Sequence, residues 1–171
     1  PAFVEERIQT RLENLLEAEA DSERALGKRW IRDLRAFLEE LPVLFEPAFK
    51  PVLLSADITD EHLLVIQRGD RWALTGFIDM GDAMLGHSLY EFVAPGCLIA
   101  RGDAHLLRIM LQAYGYADAQ LNPQLTRQLM AYTLGHRYVK IRDLLDILNL
   151  QHLVNRSDIV HPLAELERVL W

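Results

Sequence analysis

The stretch "SADITDEHLLVIQRGDRWALTGFIDMGDA", residues 55–83, decides how the chain is read. It opens on a polar turn, with Asp57, Asp60, Glu61 and His62 crowded between the apolar runs "PVLL" and "LLVI". Loops carry function more often than cores do, so chemistry is expected here. "HLLVIQ", then "RGD", then "RWALTGFID" reads as strand, tight turn, strand, with Gly69 supplying the turn backbone. Asp57 precedes the first strand and Asp79 follows the second. A hairpin returns the chain to its starting point, so both carboxylates are expected at the same end.

Outward from this stretch the hydrophobic period is helical. Phe3, Val4, Ile8, Leu12, Leu15 and Leu16 predict an amphipathic helix over 3–18. Asp21 and Ser22 are cap types before a second helix, whose apolar face holds Leu26, Trp30, Leu34, Phe37, Leu38 and Leu41 and which Pro42 is expected to end. Pro47 and Pro51 break up the stretch between that helix and the polar turn. Beyond the hairpin, "SLYEFVA" starts a helix, and Asp103 caps "AHLLRIMLQAY", closed by Gly115. Asn122 and Pro123 open a helical pattern to about Leu150, long enough to require a break. A last helix is expected over about 160–170. The predicted fold class is mainly α with a short β-hairpin (α+β).

Length and composition fit one soluble globular domain: 171 residues, half of them hydrophobic and a quarter charged. No apolar run reaches the length of a membrane span and no signal peptide is visible, so a cytoplasmic location is expected. The net charge of −7 disfavours nucleic acid and anionic membranes as partners and suits a cationic ligand. Cys97 is the lone cysteine, and with no paired base near it in sequence it reads as a buried small hydrophobe. "RGD" occurs at 68–70 and 101–103, and in both places it is ordinary turn chemistry. Trp30 and Trp72 are expected in core or hairpin packing, and His136 and His161 in structural roles.

Two carboxylates flanking a hairpin can hold a metal ion and a nucleophile side by side. Phosphoryl transfer has that requirement: one carboxylate orients or deprotonates the attacking hydroxyl, and another binds the ion that neutralises the phosphates.

The stretch resembles the catalytic core of the aminoglycoside phosphotransferase family, which shares the protein-kinase-like fold. The family pattern is roughly "HGDxxxxN", a hairpin, then "IDWGDAxxGDPxYDLA". This chain has "SADITDEH", "LLVIQRGDRWALTG" and "FIDMGDAMLGHSLYEFVA". The resemblance implies that Asp57 is the catalytic aspartate and Asp79 the metal-binding one. Gly81, Asp82, Ala83 and Gly86 match the downstream turn. Tyr90 and Glu91 fall where the family has tyrosine and a structural aspartate. The nearest flavour is the hygromycin-B-phosphotransferase-like branch, with antibiotic resistance as its setting.

Three departures stand out. Ser55 replaces a histidine, His87 replaces an aspartate, and His62 replaces the asparagine that helps to hold a second metal. Magnesium prefers oxygen ligands and imidazole suits softer metals. His62 is therefore open between three roles: metal ligand, cofactor contact at a phosphate, and structural hydrogen bond. The implied cofactors are ATP and Mg2+, with Mn2+ as an alternative. The implied substrate is a hydroxyl of a small polar or cationic molecule, aminoglycoside-like by preference.

No Gly-rich phosphate loop and no "VAIK"-like lysine strand precede the motif. The chain is thus expected to be the large (C-terminal) lobe alone, helical over 1–50, with catalytic loop and hairpin over 51–82, and helical over 88–171. Without the N-terminal nucleotide lobe, a missing partner, the isolated lobe is expected to be inactive. The alternative is a non-catalytic helical binding or scaffold module derived from such a lobe.

Overall fold

The computed structural model describes residues 26–44, 49–136 and 139–171, together with residues 10, 13, 14 and 17. Those four isolated residues include helical backbone within the predicted first helix. The apolar residues that defined its face, and the caps Asp21 and Ser22, lie outside the described residues.

Helix α1 spans Lys28–Leu44 and begins after Gly27, whose φ of 92° only glycine adopts without strain. Trp30, Leu34, Phe37, Leu41 and Leu44 recur at steps of three and four and are all buried. Pro42 does not end this helix, contrary to the sequence expectation. The apolar stripe runs on to Leu44, and a proline in the last turn forfeits a single backbone donor.

Two small antiparallel sheets come next. Strand β1 (Val52–Leu54) pairs with β4 (Met84–Gly86), and β2 (Leu63–Arg68) pairs with β3 (Arg71–Phe77). The β2–β3 hairpin is the expected one, and its turn places Gly69 at φ 61°. Leu64 faces Gly76 but Val65 faces Leu74, so Thr75 is the extra residue of a bulge. Its hydroxyl donates to the Leu64 carbonyl at 3.1 Å. The β1–β4 pair is absent from the sequence reading, because three-residue strands are too short to show alternation. Trp72 lies on the hairpin, opposite Gln67, and is exposed, so of the two expected placements the core is excluded.

From β4 the chain enters one helical segment that changes pitch, first 3-10 (Ser88–Phe92), then α (Val93–Pro95), then π (Gly96–Ala100). Gly96 admits the Trp171 ring, for a Cβ there would lie 2.3 Å from two ring carbons. Helix α2 (Ala104–Tyr114) is capped by Asp103, which accepts from His105 and Leu106 N–H, and is closed by Gly115 at φ 117°. Helix α3 (Pro123–Gly135) is capped by Asn122. The long pattern is broken as expected, into α3 and α4 (Ile141–Ile147), and a short α5 (His152–Asn155) follows it. The chain closes with α6 (Pro162–Leu170).

The core lies among α1, α3, α6 and the 88–100 segment, around Trp30, Phe37, Val93, Leu129, Met130 and Leu166. Arg127 stacks over the Phe37 ring at 4.1 Å and pairs with Glu40 and Glu167, tying α3 to α1 and α6. Asp33, buried on α1, accepts from His161 at 3.3 Å and from the Leu163 N–H at 3.4 Å, so His161 is structural as expected. Cys97 is buried, and burial pushes its thiol up to about 12. Among the described residues no helix is long and apolar enough to cross a membrane. The described chain is mainly helical with small antiparallel sheets, an α+β fold.

Candidate active site

Strand β1 delivers Ser55 and Ala56, both buried, to the start of the polar turn. Ala56 has a left-handed backbone, φ 63°, which costs a residue with a Cβ about 1–3 kcal/mol and persists only where the surroundings impose it. Glu91 imposes it. One carboxylate oxygen accepts from the Ser55 N–H at 3.0 Å and the other from the Ala56 N–H at 3.2 Å. Asp57 comes after them, half-buried. Asp60 and Glu61 are exposed, as expected of solvated loop charges.

His62 ends the short 3-10 turn Asp60–His62. Its Nδ1 lies 2.8 Å from the Asp57 carbonyl oxygen. A carbonyl can only accept, so Nδ1 carries the proton and a neutral ring leaves its lone pair on Nε2. That Nε2 lies 3.8 Å from Oδ2 of Asp79. The Ile78 N–H donates to the His62 carbonyl at 3.1 Å, which keeps the hairpin paired up to its open end. Asp79 is largely exposed and is itself left-handed, φ 63°, with its Oδ1 accepting from the Gly81 N–H at 3.3 Å. The Asp57 carbonyl and the Asp79 carboxylate therefore lie on either side of the His62 ring at one end of the hairpin.

The donor set suits an ion that takes few protein ligands. Asp79 offers an exposed carboxylate and His62 an imidazole lone pair. Among the described residues no group of three or more His, Cys, Asp or Glu could hold a metal. Magnesium bound through one or two carboxylates takes its remaining ligands from phosphate and water. Asp79 supplies one such carboxylate.

Residues 2–132 match the APH family, the phosphotransferase enzyme family. The chain belongs to this phosphotransferase family. No curated protein and no solved structure matches it. The family match contains Asp57, His62, Asp79 and Glu91, so the hairpin end lies in the part of the chain that carries a phosphotransferase signature. Sequence reading placed Glu91 only by its match to a structural aspartate, and the structure shows what it holds. It noted the segment "YGY" at 114–116 only for its spacing and missed the pairing of Tyr116 with Ser88, whose hydroxyls meet at 2.7 Å beside a cavity.

Proposed function

We propose that the chain is the large lobe of a kinase-like enzyme that transfers the terminal phosphate of ATP to a hydroxyl of a small polar molecule. The observation that carries this is the imidazole of His62, which touches the Asp57 carbonyl on one side and faces the Asp79 carboxylate on the other. Asp57 orients or deprotonates the attacking hydroxyl. Asp79, with His62 beside it, would hold magnesium or manganese, an ion that neutralises phosphate charge when bound. Glu91 keeps the backbone ahead of Asp57 in place.

A covering lobe belongs to this reading. Leu64, Val65, Ile66, Trp72 and Leu74 are exposed on the hairpin, and Ile78 and Met80 beside Asp79. An apolar surface of this kind supports a packed partner domain. A cytoplasmic location accompanies a reaction that consumes ATP. For the acceptor, the family resemblance, closest to the hygromycin-B-phosphotransferase-like branch, and the net charge of −7 favour an aminoglycoside-like cation. The uncharged cavity beside Ser88 weighs the other way.

The test is steady-state ATP consumption against a panel of alcohols, using the parent polypeptide. Asp57→Asn is expected to lower turnover about a hundred- to ten-thousand-fold with the circular dichroism spectrum unchanged. A loss of only a few-fold removes Asp57 from the chemistry.

A further inference from the structure

A cavity of about 530 Å³ opens between Ser88, the Tyr114–Tyr116 turn and the start of α3. That volume is in the range of a small-ligand site. Its position ties it to the hairpin end. Ser88 and Glu91 are three residues apart on a 3-10 helix, so they share a face about 6 Å apart along the axis. Glu91 in turn holds the backbone just before Asp57.

Among the described residues that line it there is no Asp, Glu, Lys or Arg. The lining is carboxamide, hydroxyl and aromatic. Gln120, Gln124 and Gln128 each present a carboxamide, and Tyr114 and Tyr116 present stacked rings with centroids 6.2 Å apart. The Ser88–Tyr116 pair uses one of its two hydroxyl protons internally, so the other is available to a ligand. Burial pushes the Tyr116 phenol up, which keeps it a neutral donor. Gln120 spends its oxygen on the Ala117 N–H and Gln128 its amide nitrogen on the Leu44 carbonyl. Gln120 therefore offers donors and Gln128 an acceptor. His87, also in the wall, uses its Nδ1 lone pair on the Leu89 N–H, as the neutral tautomer does.

An ammonium brings only donors and calls for carboxylates when it is desolvated, and a phosphate calls for cations. This wall has neither. A sugar hydroxyl donates and accepts at once, and the apolar face of a sugar ring packs on an aromatic ring. We infer that this cavity binds an uncharged, polyhydroxylated ring compound, a neutral saccharide or cyclitol, and that the acidity of the chain is not the acidity of its acceptor site. Its role as the acceptor end rests on the phosphotransferase reading of the hairpin end.

The experiment is saturation-transfer NMR on the full chain. Glucose, galactose, sucrose and myo-inositol serve as neutral probes, and spermidine and kanamycin as cationic ones. At least one neutral probe is expected to bind saturably. Tyr116→Phe and the surface change Gln124→Ala should each weaken it about tenfold, the loss of one good hydrogen bond. Three results overturn the inference: no neutral probe binds, neutral binding is indifferent to both cavity variants, or cationic probes bind in a way that depends on them. Phosphorylation assays separate the two claims. With the covering lobe present, saccharide binding without phosphoryl transfer keeps the cavity and removes the kinase reading. Transfer to a polyamine with no saccharide binding does the reverse.

Discussion

The Glu91 carboxylate accepts the Ser55 backbone N–H at 3.0 Å across 36 residues of chain. With its second oxygen on Ala56, it fixes the left-handed backbone from which Asp57 projects. Glu91→Ala is expected to destabilise the fold by about 3–6 kcal/mol, the scale of two charge-assisted bonds, and to lower turnover with it. Glu91→Gln keeps one acceptor oxygen and should recover part of both. Urea unfolding midpoints and turnover check this. An alanine variant as stable as the parent would mean that the loop holds itself.

Ser55 adds a second constraint at the same place. Its hydroxyl is buried and has no hydrogen-bond partner in the structure. Ser55→Ala removes a polar group without breaking a bond. Stability should stay level or rise, by up to about 2 kcal/mol. Thermal unfolding measures it, and a clear drop in midpoint would reveal a bond to this hydroxyl in solution.

How far the sequence carried depended on the range of the signal. Asp103, Gly115 and Asn122 act within one helical turn, and each was read at its own residue. The hairpin was legible because Gly69 and the flanking β-branched and aromatic residues are local too. Pro42 misled because the burial of Leu44 is a tertiary effect that overrides a local breaker. The β1–β4 pair and the Glu91 clamp join residues about thirty positions apart with no periodicity to mark them. At the site, the placement of Asp57 before the hairpin and Asp79 after it was legible, because a hairpin returns the chain to its start. The orientation of the His62 ring was not, because it depends on one backbone carbonyl.

Glu167 gives a pH signature. Burial raises its carboxyl above the ordinary value, against the attraction of Arg127, while Glu40 adds to the rise. A raised carboxyl binds its proton more readily in the folded state. Its contribution to stability is therefore present at low pH and lost as pH rises through the raised value. The stability of the parent minus that of Glu167→Gln should fall as pH rises from the ordinary carboxylate range through the raised value, then level off. Denaturant titrations at stepped pH test the sign. A difference that grows with pH would mean that the Arg127 pair outweighs burial.

Cys97 should be inert in the folded chain. With its thiol at about 12, roughly one molecule in ten thousand carries the thiolate at pH 8, and the group is buried as well. Ellman's reagent should label it only as fast as the surrounding helices open, with a rate that climbs as denaturant is added. Labelling at the speed of an exposed thiol would place Cys97 at the surface.

His62 separates a metal ligand from a strut. The Asp57 carbonyl holds the Nδ1 proton, which turns the Nε2 lone pair of the neutral ring toward the Asp79 carboxylate. Imidazole suits manganese better than magnesium, whereas an amide oxygen suits both. The parent enzyme should therefore show a higher manganese-to-magnesium turnover ratio than His62→Asn. With Mn2+ and a non-hydrolysable nucleotide bound, pulsed electron paramagnetic resonance should detect a coordinated imidazole nitrogen in the parent and none in His62→Asn. The magnetic readout does not depend on activity. If the nitrogen signal is missing in the parent and the two ratios agree, His62 is a strut that braces the Asp57 carbonyl. His62→Asn should then lower the unfolding midpoint and leave metal preference alone.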